Sequence, residues 1–574
     1  MQNGPVSDTP PRLLRALTAL AGAALGVGIF AAGHRLVRRS RPGAAAHAAV
    51  VTAARDYHAW AEGPCYRVDG DRIVRVPPPE GPVFRPEAPG ASFARERGPG
   101  VRRIAVVGES TAEMLERALT ALTAGPGCGG RVEVLQCAAS GSLPWVAVRR
   151  AEEALGYAPD AVVVAIGHNF LLPGPPPPPG PTWAAAGAGS PPPPPGANSQ
   201  EPLPDPTRDA PELGRVAYRA IVAAARSRGV PVVAVVLASN LWIRPRTGAA
   251  YATSPGRAAA WVRWARGDAA GAAAALASTG AEDPLQAWER ARFRVASGSW
   301  DGVSSDLAQA RDLEPGSFRA STATTDAIRD TARASGAALV DVPVLFASMA
   351  DHGVPGWDVF FDHCHPNPLP LDALGRAVLR ASAPAQAAAC GAGEGVEEGA
   401  RRAWEALFRP TGGDGADGAW HRLVDGPSRV FLPPDAAALG WDHAPDDGAW
   451  RRLLDGPFAP VWRLPTADAE RVALRFDAEV LDRLAATERA AALDALAGSA
   501  RDGGHEALAV TLLERSLRAA ASPGARADLA LMHLRMHDET AAAADIAAAA
   551  SPGPGEGWAR AVVGAFAADA ALRR

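Results

Sequence analysis

A chain of 574 residues that is 48% apolar has room for three or four domains of about 150 residues each, which excludes disorder throughout. Its net charge is −4 and all 58 of its basic residues are arginines, so there is no basic surplus for a polyanion and a nucleic-acid binder is a poor reading. Glycine and proline together make up about a fifth of the chain, below the low-complexity range, which confines irregular material to segments.

The first element is an uncharged run from Ala16 to Gly33, extended by Leu13, Leu14, Leu36 and Val37, long enough to cross a bilayer. It predicts a single membrane anchor within residues 1–42. The competing reading is a cleaved signal peptide ending at Ala31, Ala32 and Gly33, although the run is long for one. Arg12 and Arg15 precede the run while Arg35, Arg38, Arg39 and Arg41 follow it, so positive-inside counting points to a cytoplasmic C-terminal side. Residues 43–100 form a juxtamembrane segment and a small preceding region. The five cysteines (Cys65, Cys128, Cys137, Cys364 and Cys390) lack Cys-x-x-Cys spacing. They indicate neither a zinc ribbon nor a disulfide framework, with room for one bridged pair.

From about Arg103 the pattern changes to short apolar runs, each followed by a helical stretch, as in parallel βαβ units. The runs are Ile104 to Val107, Val132 to Leu135, Ala161 to Ile166, Val230 to Ala238 and Ala337 to Val340. Met114, Leu115, Leu119 and Leu122 lie at helical spacing after the first, and Glu212 to Arg228 reads as helix before the fourth. Five such repeats predict a doubly wound, flavodoxin-like α/β domain with a parallel five-stranded sheet over residues 101–384. Two insertions interrupt it. Residues 173–211 hold the tracts Pro175 to Pro179 and Pro191 to Pro195, which predict an extended flap or loop. Residues 257–315 read as helical, and Trp288, Gly298, Trp300, Ala310, Leu313 and Pro315 have the flavour of a tetratricopeptide-like helical hairpin. Residues 385–574 are rich in Ala, Leu and Arg and predict an all-α, repeat-like domain. Within it Gly418 to Pro427 recurs as Gly448 to Pro457. Trp420 and Trp450 in that repeat read as packing residues before ligand platforms.

In open α/β sheets ligands bind beyond the carboxyl ends of the strands. The first strand ends in Gly108-Glu109-Ser110-Thr111. A serine there has its hydroxyl at the rim and its N–H at a helix N-terminus, which suits a nucleophile, while the plainer reading is a helix cap by Ser110 or Thr111. The second strand runs into Ser140-Gly141 and the third into Gly167-His168-Asn169. The Gly141 N–H and the Asn169 amide are donors an oxyanion would need, and each could equally be a turn or loop residue. After the fifth strand comes Asp362-His363-Cys364-His365-Pro366. In Asp-x-x-His the carboxylate can fix one ring nitrogen and leave the other as a base. A metal site of Asp362, His363, Cys364 and His365 competes, but four consecutive residues cannot all face one ion.

Taken in order, Gly108-Glu109-Ser110, Gly141, Gly167-His168-Asn169 and Asp362-x-x-His365 resemble the four signature blocks of the SGNH/GDSL hydrolase superfamily over roughly residues 103–380. The closest likeness is to a bacterial subgroup with a Gly-Glu-Ser first block and a Ser-Asn-Leu after the fourth strand, here Ser239-Asn240-Leu241. Membrane anchors and helical repeats often accompany that subgroup. The resemblance implies an ester hydrolase without a cofactor, in which Ser110 attacks an acyl carbonyl, His365 takes its proton and Asp362 orients the imidazole. It implies an oxyanion hole of the Ser110 N–H, the Gly141 N–H and the Asn169 side chain. The implied substrates are O-acylated carbohydrates, lipids or small esters, and such substrates usually lie outside the cytoplasm, against the arginine count. Departures are Glu109 for the commoner Asp, Gln136 and Ala138 in the second block, and Phe170 at the rim beside Asn169. An inactive scaffold whose helical repeats bind a protein partner, and a metal-dependent hydrolase centred on Asp362, His363 and His365, are the alternatives.

Overall fold

The computed structural model describes residues 60–61, 63–76, 92–124, 128, 131–171, 206–245, 249–278, 283–314, 317, 319–360, 363–390, 421–422, 431–432, 466–479, 481–550 and 557–572. The expected membrane anchor, both proline tracts, Asp362, Trp420, Trp450 and nearly all of the Gly418 repeat lie outside them. No helix among the described residues is long and apolar enough to cross a membrane. Two compact units hold the described residues of Met1–Asn240, Phe318–Ala350 and Val359–Ala419, and those of Leu241–Ser317, Asp351–Asp358 and Trp420–Arg574.

The first unit opens with a small antiparallel sheet that the sequence did not announce. Its strands are β1 (Tyr66–Asp69), β2 (Arg72–Arg75) and β3 (Ser92–Ala94). Five parallel strands follow, β4 (Arg102–Gly108), β5 (Val132–Gln136), β6 (Ala161–Ala165), β7 (Val232–Val236) and β8 (Ala338–Asp341), in the order β5-β4-β6-β7-β8. Every residue of β6 and β7 is buried, as uninterrupted apolar strands require when both faces of a sheet are covered.

The two-residue side-chain period sorts the core into two layers. Ala105, Val107, Val162, Val164, Ala234 and Val236 pack with helices Pro144–Leu155, Pro206–Arg226 and Thr322–Ala334. Ile104, Val106, Val163, Ala165, Val233 and Val235 pack with helices Ser110–Thr123 and Pro368–Ser382 on the other face. The sheet is therefore doubly wound. Leu115 and Leu119, expected on one helix face, are wholly buried, worth about 1.5–3 kcal/mol each. Helix Pro206–Arg226 begins ahead of the expected Glu212 and carries Pro211 within it.

Two disulfides, Cys65–Cys137 and Cys128–Cys390, tie this unit, and the buried Cys364 takes part in neither. The reading that the cysteines indicate no disulfide framework, with room for one bridged pair, is corrected here. The bridged partners stand 72 and 262 residues apart in sequence, so folding and not spacing brings them together. Buried Arg150 adds a second tie beside the first bridge, donating to Ala61 O, Trp60 O, Cys137 O and Ala138 O.

The second unit draws on both helical stretches. Helices Pro255–Ala265, Ala269–Ser278, Pro284–Ala296 and Val303–Leu313 share one apolar core with Thr466–Glu479, Ala486–Asp502, Glu506–Ala519, Pro523–Arg535, Glu539–Ala549 and Gly557–Leu572. Trp261, Trp288, Phe293, Leu493, Leu512 and Met532 are among its members. Helix starts are written in the sequence as Ser or Asp followed by Pro. Ser254, Asp283 and Ser522 accept from N–H groups of the first turn, ahead of Pro255, Pro284 and Pro523, each cap contributing about 1 kcal/mol. A buried Arg257–Glu289 pair crosses the core, with Tyr251 and Trp261 also donating to Glu289. One short antiparallel pair, His421–Arg422 with Phe431–Leu432, makes the region after residue 385 helix-rich and not all-α.

Candidate active site

The order β5-β4-β6 puts the topological switch point between β4 and β6, the place beyond the strand ends where sheets of this kind bind ligands. Gly108 closes β4 with φ +147°, and a Cβ there would lie 2.0 Å from Ala165 O on β6 and 2.8 Å from Ala112 Cβ. Only glycine allows that approach. Helix Ser110–Thr123 starts at once, with Glu109 as its N-cap and no side-chain capping bond. The hydroxyls of Ser110 and Thr111 are buried and have no hydrogen-bond partner among the described residues. The cap reading of these two residues is thus not what the chain adopts. Ser110 is 4% exposed, and burying an unpaired hydroxyl costs about 1–3 kcal/mol. The positive end of the helix lies at this serine.

The loops after β5 and β6 are stitched to the same point. Gly141 adopts φ +64° in the turn beyond β5. Ala139 N–H and Ser142 Oγ both donate to Gly108 O, at 3.0 and 3.1 Å. Glu116, on the helix that Ser110 opens, accepts from Ala138 N–H at 2.5 Å, and Glu113 accepts from Ser140 Oγ at 2.8 Å. The Asn169 side chain, fully buried, donates from Nδ2 to Ser142 O at 3.2 Å. An amide nitrogen carries two N–H groups, and this bond uses one of them. Asn169 Oδ1 has no partner among the described residues.

Glu109 joins the first strand to the third. Its Oε1 accepts from His168 N–H at 2.7 Å and its Oε2 from Asn169 N–H at 3.0 Å. Burial pushes this carboxyl up to about 8, opposed by those N–H groups and by the nearby His365 imidazole. His168 Nδ1 accepts from Ala320 N–H at 3.0 Å, so that ring is neutral.

His365 is buried in a loop whose ends are pinned. Phe360 and Pro366 form an antiparallel bridge, and Asn367 N–H donates to Val359 O at 2.7 Å. Asn240, four positions beyond Val236 at the end of β7, donates its N–H to His363 O at 3.0 Å and accepts from Arg319 at its own carbonyl. Cys364 Sγ lies 3.8 Å from His365 Nδ1, and the His363 and His365 rings are 5.8 Å apart. Asp362 lies outside the described residues. Among the described residues no group of three or more His, Cys, Asp or Glu could hold a metal ion.

Ser110, Gly141 and Asn169 thus stand on three neighbouring loops bonded to one another, and His365 lies within electrostatic reach of the residue beside Ser110. Sequence reasoning missed Ser142, whose hydroxyl and carbonyl link all three loops, and Glu116. Their only signal was position within the blocks. It also misplaced Phe170, which is buried in the core against Gly214 of helix Pro206–Arg226 and does not line the rim. A phenyl ring gains more from that core than from the rim.

No protein-family model matches the chain, and no curated protein matches it. Among solved structures it is similar to LAE5, an alpha/beta hydrolase enzyme from the metagenome of Lake Arreo, Spain, with 14% identity, 49% of this chain and 94% of that one covered, and a TM-score of 0.24. It is also similar to a gut microbial diltiazem-metabolizing enzyme, with 9% identity, coverage of 50% and 48%, and a TM-score of 0.24. At that level of likeness the site has to be read from its own geometry.

Proposed function

We propose that this chain is a serine hydrolase of the SGNH/GDSL type that cleaves or transfers O-acyl esters. The observation that carries the reading is the buried, unpartnered hydroxyl of Ser110 at a helix N-terminus beside the switch point. A buried polar atom left without a partner calls for an explanation, and a nucleophile awaiting substrate is one. In the proposed reaction Ser110 Oγ bonds to the acyl carbon while its proton passes to His365. The carbonyl electrons move to oxygen, held by the Ser110 and Gly141 N–H groups and the second N–H of Asn169. Collapse expels the alcohol, which takes the proton from His365, and water or another hydroxyl then releases the acyl group by the same steps. Asp362 is proposed to orient His365. O-acylated carbohydrates, lipids and small esters are the proposed substrates, with no cofactor and no nucleic-acid partner.

Labelling with a fluorophosphonate probe tests the mechanism. The intact protein should be labelled and Ser110→Ala should not, with ester turnover unchanged by a chelator. Turnover without labelling that a chelator abolishes would install the metal-dependent hydrolase centred on Asp362, His363 and His365. Neither labelling nor turnover would leave the scaffold, with a protein partner on the helical repeats, as the better reading.

The same proposal places the catalytic domain outside the cytoplasm, tethered by the Ala16 to Gly33 segment. Two disulfides support this, because such bonds persist in oxidising compartments and are rare in the cytosol. Alkaline phosphatase fused after Arg574 should be active in cells, and alkylation of the unreduced, unfolded chain should modify Cys364 alone. An inactive fusion with five reactive thiols would show that the arginine count was the better guide.

A further inference from the structure

Open sheets separate at the switch point, because consecutive helices leave toward opposite faces there. The loops after β4 and β6 are therefore held by something other than a covering helix. Glu109 supplies that hold from a fully buried side chain whose two oxygens each take one backbone N–H, from His168 and from Asn169. It caps no helix N–H, although it occupies the N-cap position. Its own backbone continues directly into Ser110, so the carboxylate measures the distance from the serine to the loop that carries Asn169. From the other side Ala320 N–H fixes the His168 ring, and Ser142 O orients the Asn169 amide.

We propose that Glu109 is a positioning residue that sets the Asn169 donor against Ser110, an inference that rests on the serine hydrolase reading above. With an N–H on each oxygen the geometry is that of the ionised carboxylate, which these bonds favour against the opposing effect of burial; it offers acceptors on both oxygens, whereas an amide of the same shape offers one oxygen and turns its NH₂ toward the second N–H. Apolar side chains of similar size would fill the space without fixing the loop. The role is distinct from general gluing of β4 to β6, which the strand ladder already provides through five residue pairs from Ile104↔Ala161 to Gly108↔Ala165.

The test is a double-mutant cycle on a soluble p-nitrophenyl ester with the full chain, using Glu109→Gln, Glu109→Asp, Asn169→Ala and the Glu109→Gln/Asn169→Ala pair. Displacing a reacting group or its donor by about 1 Å costs about 10²-fold, so Glu109→Gln should lower kcat by about 10- to 100-fold and leave KM nearly unchanged. Glu109→Asp, which keeps both acceptors, should recover part of the loss. In the Asn169→Ala background Glu109→Gln should cost less than about threefold more, because the donor it positions is already gone. Fully additive losses in kcat, or a lowered Tm with unchanged kcat, would overturn the positioning role. If Glu109→Gln does not fold by circular dichroism, Glu109→Asp decides, since an unchanged kcat combined with Asn169-dependent turnover is incompatible with the proposal. Absence of Ser110-dependent turnover in the unaltered protein would remove the serine reading and this inference together, whereas the outcomes above remove the inference alone.

Discussion

Ser110→Ala should lower kcat/KM on a short p-nitrophenyl ester by about 10⁴ or more, the loss typical of a triad member. The expectation follows from placement. Among the described residues Ser110 Oγ is buried without a hydrogen-bond partner, just beyond the carboxyl end of the strand flanking the switch point. Thr111 shares the burial but carries a methyl group that crowds its oxygen. The variant should fold normally, since its hydroxyl makes no bond among the described residues and alanine is a good helix former at that position. A circular dichroism spectrum matching the parent, with turnover gone, is the expected pair of measurements. Unchanged turnover in a folded Ser110→Ala protein would end the serine mechanism.

Asn169→Ala and Asn169→Asp should each lower kcat by about 10² to 10³-fold, the usual cost of one oxyanion donor. The Nδ2 atom gives one N–H to Ser142 O, which locks the plane of the amide and aims the other. A donor acting on charge that develops only in the transition state contributes little to ground-state binding, so KM should move far less. Asp keeps the size but brings a negative charge toward the oxyanion, and should be at least as damaging as Ala. Steady-state kinetics on one ester, after both variants are shown to be folded, decides the matter. Near-normal kcat in both would make Asn169 a structural loop residue.

The parallel sheet was legible because its strands are buried on both faces. Ala161–Ala165 and Val232–Val236 are all apolar, as short buried strands between helical stretches are. The β1 to β3 sheet was not legible, since its strands are three or four residues long and lie largely exposed, which leaves no strong apolar period. The positions of the site blocks could be read from strand ends alone. Their connections could not. A serine opening a helix reads alike as cap and as nucleophile, and the absence of a capping bond removes the first reading alone. Glu109 read as a mere variant of Asp, because the reach of a side chain across a switch point depends on which strands become neighbours. The disulfides were hidden for the same reason, since Cys128 and Cys390 meet only after the sheet has closed. The shared core of the two helical stretches depends likewise on contacts that Ala-rich periodicity does not encode.

That shared core has a consequence for biosynthesis. The segment Leu241–Ser317 is made well before Thr466–Glu479 and the helices after it, yet Trp261, Trp288 and Leu276 share one core with Leu493, Leu512 and Met532. As the chain elongates from its N-terminus, the α/β unit has all five strands once Asp341 has emerged, while the earlier half of the helical unit still waits for its complement. During that interval its indole and leucine faces are exposed to solvent, the condition under which nascent chains aggregate or recruit chaperones. The helical unit can thus close only after the helices from Thr466 onward have been made, later than the last strand of the sheet.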